Sequence, residues 1–393
     1  MKSKKKYTIL VVDDSQIDSM IVQKMLDRDD YIIIQSQTGT EAMKKLEESV
    51  PDLVILDVVL PDGLGYDFCK EMKDNLREKG GFLPVIMLTS LDCHEHKVAG
   101  LESGADDFIV KPPMEDELRA RVQTLLQLRD LDEDLRTTNE RLSHMNRIVE
   151  RELLLIGEIQ RSFLPQSFPK YSGIDIAARY QPSMQAGGDY YDVIPLDDRR
   201  WGLVMADIAG HGVSAAVVMA LLQMTVREFV PGIQSPGEAL KVINDKLNAH
   251  LSTEHFVTMF YAVLDLESME FVYASAGHDP MLFYSAEVNE IRQLKTEFGF
   301  PLRTFETIQY DEMKERLCPG DKILLFTDGV VETINAENDF YGIERLSDFF
   351  KKNRVTSAKI LVDKIFADTE EYRQDKERLD DFTLMVIGRH EIA

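Results

Sequence analysis

Apolar residues fall along this chain in two rhythms. Over the first 125 residues they form short unbroken runs: Tyr7 to Val12, Leu53 to Leu56, Val85 to Leu88 and Phe108 to Val110. Between the runs, Ile17 to Leu26 and Glu41 to Glu48 carry a helical period. Strands apolar on both faces that alternate with helices predict a parallel, doubly wound sheet. From Glu115 to about Phe163 the only Gly or Pro is Gly157, which predicts one long helix ended by Pro165. Within it Leu128, Leu135, Leu142, Val149, Ile156 and Phe163 recur every seventh position, and Leu131, Thr138, Met145, Glu152 and Ile159 fill the second seam position. That pattern predicts a parallel two-stranded coiled coil weakened at Thr138 and Glu152. A stripe packing on the chain's own domains is the alternative. Beyond residue 165 come short β-prone runs: Gly202 to Ala206, Phe256 to Leu264, Glu270 to Ala274, Met281 to Tyr284, Lys322 to Phe326 and Phe382 to Ile387. The helical tracts Val213 to Phe229 and Pro236 to Leu251 interrupt them, predicting a two-sheet sandwich with helices outside.

Length and charge narrow the function. The 393 residues exceed one ordinary core and imply two or three domains, and a hydrophobic content of 44% is that of a globular chain. The net charge of −24 is spread over both halves: 16 basic against 24 acidic residues over 1–125, 6 against 8 over 126–164, leaving −14 for 165–393. No nucleic-acid surface is expected, since phosphate backbones need clustered Lys and Arg. The basic run Lys2, Lys4, Lys5 and Lys6 reads as a solvated N-terminus. Cys69, Cys93 and Cys318 have no metal-ligand spacing, which fits a reduced, cytoplasmic protein. No signal peptide or membrane span is expected, because the apolar stretch Val213 to Val226 is too short and carries polar residues.

In doubly wound sheets, ligands bind beyond the carboxyl ends of the strands. Here those ends carry Asp13, Asp14, Asp57, Thr89 and Lys111. Asp13 and Asp14 beside Asp57 can hold Mg²⁺, with Asp57 the candidate nucleophile of phosphoryl transfer. Lys111 and the Thr89 hydroxyl would meet the added charge. Together with Pro61, Gly65 and Lys111-Pro112, these residues resemble a CheY-like response-regulator receiver domain over about 6–126. The resemblance implies that Asp57 is phosphorylated by a sensor histidine kinase, that Asp14 and Asp57 bind Mg²⁺, and that Phe108 is an aromatic rotamer switch.

The second half places four aspartates in glycine turns or at strand ends: Asp189 in Gly187-Gly188-Asp189, Asp207 in Asp207-Ile208-Ala209-Gly210-His211-Gly212, Asp328 in Thr327-Asp328-Gly329, and Asp380 in Asp380-Asp381. Each alone reads as a turn residue. Brought together, they would repel one another unless a cation intervened, and hard divalent ions take such oxygen ligands. With Ile159-Gln160, Leu164-Pro165, Ala276-Gly277-His278, Pro319-Gly320-Asp321 and Tyr341-Gly342, these motifs resemble the SpoIIE/RsbU-like branch of the metal-dependent protein phosphatase (PPM) family.

That resemblance implies a binuclear Mn²⁺ or Mg²⁺ centre and direct hydrolysis of a phosphoserine or phosphothreonine, usually on a STAS-domain anti-sigma-factor antagonist in a partner-switching pathway. By it, Asp207 bridges the two metals beside the Ile208 carbonyl, Asp328 and Asp380 ligate one metal, and Asp189 acts through metal or its water. Asp381 is then a second-shell or alternate ligand. His211 is either a general acid or a turn residue, standing four residues after Asp207 where eukaryotic relatives place His at two. His278 reads as structural. Arg303 departs from the family, which often has Gly after the Gly299-Phe300-Pro301-Leu302 stretch.

The expected architecture is therefore α/β throughout: a doubly wound (βα)5 receiver at 6–126, a coiled-coil-like linker helix at 127–164 that would make a homodimer, and an α/β/β/α sandwich phosphatase at 165–393. The expected function is a cytoplasmic response regulator whose Asp57 phosphorylation controls the phosphatase. Rival readings are a non-catalytic adaptor that sequesters a partner and a DNA-binding regulator. The latter lacks a helix-turn-helix pattern, and no motif of cyclic-dinucleotide chemistry appears.

Overall fold

The computed structural model describes residues 5–28, 30–78, 81–89, 103–210, 212–252 and 255–390. Lys2, Lys4, Cys93 and His211 lie outside them. The chain forms two compact units, 1–147 and 148–393, which divide inside the long helix.

In the first unit the strands are β1 (Tyr7–Val12), β2 (Tyr31–Ser36), β3 (Leu53–Asp57), a small hairpin of β4 (Val59–Leu60) and β5 (Gly63–Leu64), β6 (Val85–Thr89) and β7 (Asp107–Val110). The main sheet is parallel with order β2-β1-β3-β6-β7. Helices Gln16–Met25, Gly39–Glu48 and Gly65–Glu78 follow β1, β2 and the hairpin, and Ser15 and Thr38 cap the first two by accepting from the N–H three residues on. The central strands β3 and β6 are fully buried, as their unbroken apolar sequence requires, and the segment between β6 and β7 lies largely outside the described residues. The doubly wound expectation holds. Lys5 is exposed, as expected of a solvated N-terminal run, and its ammonium lies 2.6 Å from Asp130.

The helix Glu115–Phe163 is continuous, as its freedom from Pro predicts. Its first turns bury Leu118, Val122, Leu125 and Leu126 in the receiver core. Along its middle the heptad residues do not pack on the chain: Leu131 is 64% exposed, Leu135 61% and Met145 61%.

The second unit stacks two five-stranded antiparallel sheets. One runs β15-β12-β11-β10-β9 and the other β14-β13-β16-β17-β8. The first contains β9 (Tyr190–Pro195), β10 (Arg200–Ile208), β11 (Val257–Asp265), β12 (Glu270–Ala276) and β15 (Met313–Arg316). The second contains β8 (Ile174–Gln181), β13 (Met281–Ser285), β14 (Glu290–Leu294), β16 (Lys322–Phe326) and β17 (Phe382–Arg389). A single apolar core that includes Phe260, Phe271, Phe283, Phe326 and Phe382 joins them. Helices Val213–Phe229 and Pro236–His250 pack on the first sheet, and Ile343–Asn353 and Ala358–Arg373 on the second. This is the α/β/β/α sandwich. Strands β8, β9, β14 and β15 and the last two helices were not legible as separate runs. Among the described residues no helix is long and apolar enough to cross a membrane.

Candidate phosphotransfer and hydrolytic sites

In the receiver unit, β1 and β3 run side by side and end at the same level, because Val12 pairs with Leu56. That register brings Asp13 and Asp14 to Asp57, and one carboxylate oxygen from each lies within 4.8 Å of the others. Asp13 and Asp57 are buried, and Asp14 is exposed. Lys111, just beyond β7, closes the cluster: its ammonium donates to Asp13 at 2.6 Å and to Asp57 at 2.5 Å. Burial works to lower the Lys111 pKa, but those two carboxylates hold it above its ordinary value. Burial also raises the Asp13 carboxyl. Thr89 ends β6 and is buried, while Phe108 packs half-buried against the receiver core. Gly65 is required here: a β-carbon on it would lie 2.1 Å from the Asp57 carbonyl oxygen. The Lys111-Pro112 bond is cis.

In the sandwich unit the aspartates gather at one end of the two sheets. Asp189 immediately precedes β9, Asp207 is the penultimate residue of β10, Asp328 opens the short helix Asp328–Val331 after β16, and Asp380-Asp381 leads into β17. Register supplies the reason: β9 and β10 pair Tyr190 with Ala206, and β16 and β17 pair Phe326 with Leu384.

Their electrostatics show the crowding. Burial, then Asp328, Asp380 and Asp381, push the Asp207 carboxyl up to about 7. Burial and Asp380 push Asp328 up to about 6. Burial followed by Asp207 and Asp381 raises Asp189 well above an ordinary aspartate. The strongest neighbours of Asp207 are thus all acids, an arrangement that a cation would relieve. Among the described residues, no three of these carboxylates converge within 4.8 Å as the receiver trio does. Among the described residues the buried Tyr180 hydroxyl, influenced by Asp381 and Asp189, has no hydrogen-bond partner, a setting that an ion and its ligands would fit. The donor set, carboxylates with the Ile208 carbonyl beside Gly188, fits hard divalent ions.

Several side chains beyond the motif aspartates hold this site, and Asp381, expected as a second-shell or alternate ligand, supports it. Thr327 and Thr383 both donate to Asp189 Oδ2, at 2.7 and 2.5 Å. Asp381 Oδ2 accepts from the Gly188 N–H at 2.5 Å and pins the Gly187-Gly188 turn, while its Oδ1 accepts from the Ser183 N–H and hydroxyl at 2.8 and 3.0 Å. A β-carbon on Gly187 would lie 1.9 Å from Asp381 Oδ2, which explains the glycine. Gln160, near the end of the long helix, donates to the Gly187 carbonyl and accepts its N–H at 3.0 Å. The signal for these residues was a hydroxyl or amide beside a motif aspartate or glycine.

His278 is structural in its setting. Its Nδ1 bonds Thr258 at 2.8 Å, its Nε2 bonds the Phe326 carbonyl at 3.1 Å, and burial pushes its pKa down to about 4. Arg303 adopts φ +70°, the region favouring glycine that the family's usual residue would suit. Its guanidinium donates to the Leu251 and His255 carbonyls, and its N–H donates to Asn244 at 2.8 Å.

Comparison with known proteins finds relatives for both units. Residues 197–390 match the family model of stage II sporulation protein E (SpoIIE), and 9–123 match the response regulator receiver domain. Phosphoserine phosphatase RsbU of Bacillus subtilis is 31% identical over 241 residues, 61% of this chain and 71% of that protein. The alkaline phosphatase synthesis transcriptional regulatory protein PhoP of the same organism is 43% identical over 119 residues, 30% of this chain and 48% of that protein. The crystal structure of the RsbU and RsbW domains of a Mycobacterium tuberculosis protein superposes with a TM-score of 0.51 at 28% identity, covering 59% of this chain and 64% of that one. The chain belongs to the SpoIIE/RsbU-like family of metal-dependent serine/threonine protein phosphatases, with a response-regulator receiver domain at its N-terminal end.

Proposed function

We propose that this chain is a cytoplasmic response regulator in which a sensor histidine kinase phosphorylates Asp57, and that this event controls phosphatase action on a phosphoserine or phosphothreonine protein. The observation that carries the reading is the pairing of two acidic centres along one chain. The Asp13–Asp14–Asp57–Lys111 cluster is complete, and the helix rooted in the receiver core ends with Gln160 bonded to Gly187, two residues before Asp189. Phosphorylation of Asp57 changes the charge facing Lys111, which bonds both Asp13 and Asp57, and such local changes bias two-state elements.

In the receiver, Asp14 and Asp57 would hold Mg²⁺. In the sandwich, Asp207, the Ile208 carbonyl, Asp328 and Asp380 would hold two Mn²⁺ or Mg²⁺ ions, with Asp189 and Asp381 completing or supporting the set. When bound, such a pair lowers the pKa of a water and stabilises charge on the phosphoryl group. The protein's own part is to fix the acids: Thr327 and Thr383 orient Asp189, and Asp381 fixes the Gly188 turn. The RsbU likeness favours a STAS-type anti-sigma-factor antagonist as substrate in a partner-switching pathway. The exposed heptad stripe favours a homodimer through the residue 127–164 linker.

The test is Mn²⁺-dependent dephosphorylation of a phosphoserine peptide, with and without a small-molecule phosphodonor, and with Asp207→Asn as control. Activity that depends on Asp207 and changes on Asp57 phosphorylation supports the reading. Equal rates with and without the phosphodonor remove the regulatory claim. No Asp207-dependent activity favours an adaptor.

A further inference from the structure

Next to the acidic centre lies a second cavity, of about 340 Å³, at the low end of the range for specific ligand pockets. Pro280, Phe326, Val331, Phe340 and Ile343 give it an apolar lining. Asp279 and Glu332, both exposed, make an acidic rim. Asp279 also lines the smaller cavity, of about 90 Å³, that holds Asp207 and Asp328, so the two share a wall. Phe340 is 61% exposed although it borders an apolar hollow.

We propose that this cavity takes a bulky apolar side chain of the phosphoprotein substrate, close in sequence to the phosphoserine, and that its rim disfavours acidic neighbours. The proposal rests on the phosphatase reading and adds the substrate's local chemistry to it. An extended chain advances about 3.3–3.6 Å per residue. With the phosphate at Asp207 and Asp328, a side chain within three residues of it therefore falls at the shared wall. The lining offers that side chain apolar contact and no fixed cation. Asp279 and Glu332 would repel a carboxylate brought beside the already charged phosphate, and rejecting a wrong partner by like charge is a common source of specificity.

The test uses the full-length Mn²⁺-loaded chain. Short phosphoserine peptides carry leucine, alanine or aspartate at each flanking position in turn, and p-nitrophenyl phosphate serves as a substrate without flanks. Leucine at one or two positions should raise kcat/KM about tenfold over alanine, within the span expected for filling a hydrophobic pocket. Aspartate there should lower it. Phe340→Ala should erase the leucine preference while leaving p-nitrophenyl phosphate turnover within about twofold, and Phe340→Leu should restore much of the preference. A flat leucine scan, or a preference untouched by Phe340→Ala, overturns the proposal. Absence of p-nitrophenyl phosphate turnover in the unaltered chain, both with and without the small-molecule phosphodonor, overturns the phosphatase reading itself.

Discussion

Gln160 clasps the Gly187 peptide from both sides: its side-chain amide donates to the Gly187 carbonyl and accepts from the Gly187 N–H. The side chain is 3% exposed, so neither bond has water as a ready substitute. Through the next residues, Gly188 and Asp189, the end of the long helix is tied to the acidic centre. A second constraint reinforces the tie, because a β-carbon on Gly157 would lie 2.0 Å from the Gln185 carbonyl oxygen.

Gln160→Ala should therefore weaken both stability and metal loading. Two buried backbone groups lose their partners, at about 1–3 kcal/mol each. We expect a lower Tm in the metal-free protein and about a tenfold higher Mn²⁺ concentration for half-maximal activity. An unchanged Mn²⁺ titration would show that the clasp does not set the site.

Metal-free protein should lose stability as pH rises from about 4 to about 7. Asp207 sits at about 7 and Asp328 at about 6 in the folded chain, against an ordinary value of 3.8. Within that window the folded chain binds more protons than the unfolded one, so the free energy of unfolding falls with pH, by at most on the order of 7 kcal/mol for the two groups together at about 1.4 kcal/mol per pH unit. Bound Mn²⁺ should flatten the profile, and Asp207→Asn should raise the metal-free Tm at neutral pH. Thermal melts in chelator across this range decide the matter, and a level chelator profile refutes it.

Lys111→Ala should unfold the receiver unit more easily. Asp13 is fully buried and Asp57 nearly so, and the single positive charge of Lys111 pairs with both. Removing one partner of a buried ion pair costs about 3–5 kcal/mol. Denaturant titration should show an earlier receiver transition, which Mg²⁺ moves back by supplying the lost positive charge. Coincident curves for the two proteins would contradict this.

Arg303→Gly pits two effects against each other. Glycine relieves a φ of +70°, worth about 1 kcal/mol, but forfeits guanidinium bonds to the Leu251 and His255 carbonyls, worth about 1.5–3 kcal/mol for charged donors. The bonds should win, with net destabilisation of about 1 kcal/mol by chemical denaturation. A more stable variant would show that backbone strain dominates.

The sequence by itself determined the receiver sheet, the long helix and the motif aspartates. Those features have short-range causes: strands buried on both faces read as unbroken apolar runs, a helix without Pro continues, and Asp13, Asp57 and Lys111 stand directly at strand ends. The family resemblance also flagged Arg303, where relatives often have Gly, and the structure supplied its φ of +70°. The tertiary structure alone decided that Thr327 and Thr383 hold Asp189, that Asp381 pins the Gly188 turn, that Gln160 clasps Gly187, and that the middle of the heptad stripe stays exposed while Phe163 packs on the sandwich core. Strands β8 and β9 likewise emerged only through their partners, β17 and β10. A hydrogen bond between residues nearly two hundred positions apart depends on sheet register, and register is fixed by cross-strand packing that no single segment encodes.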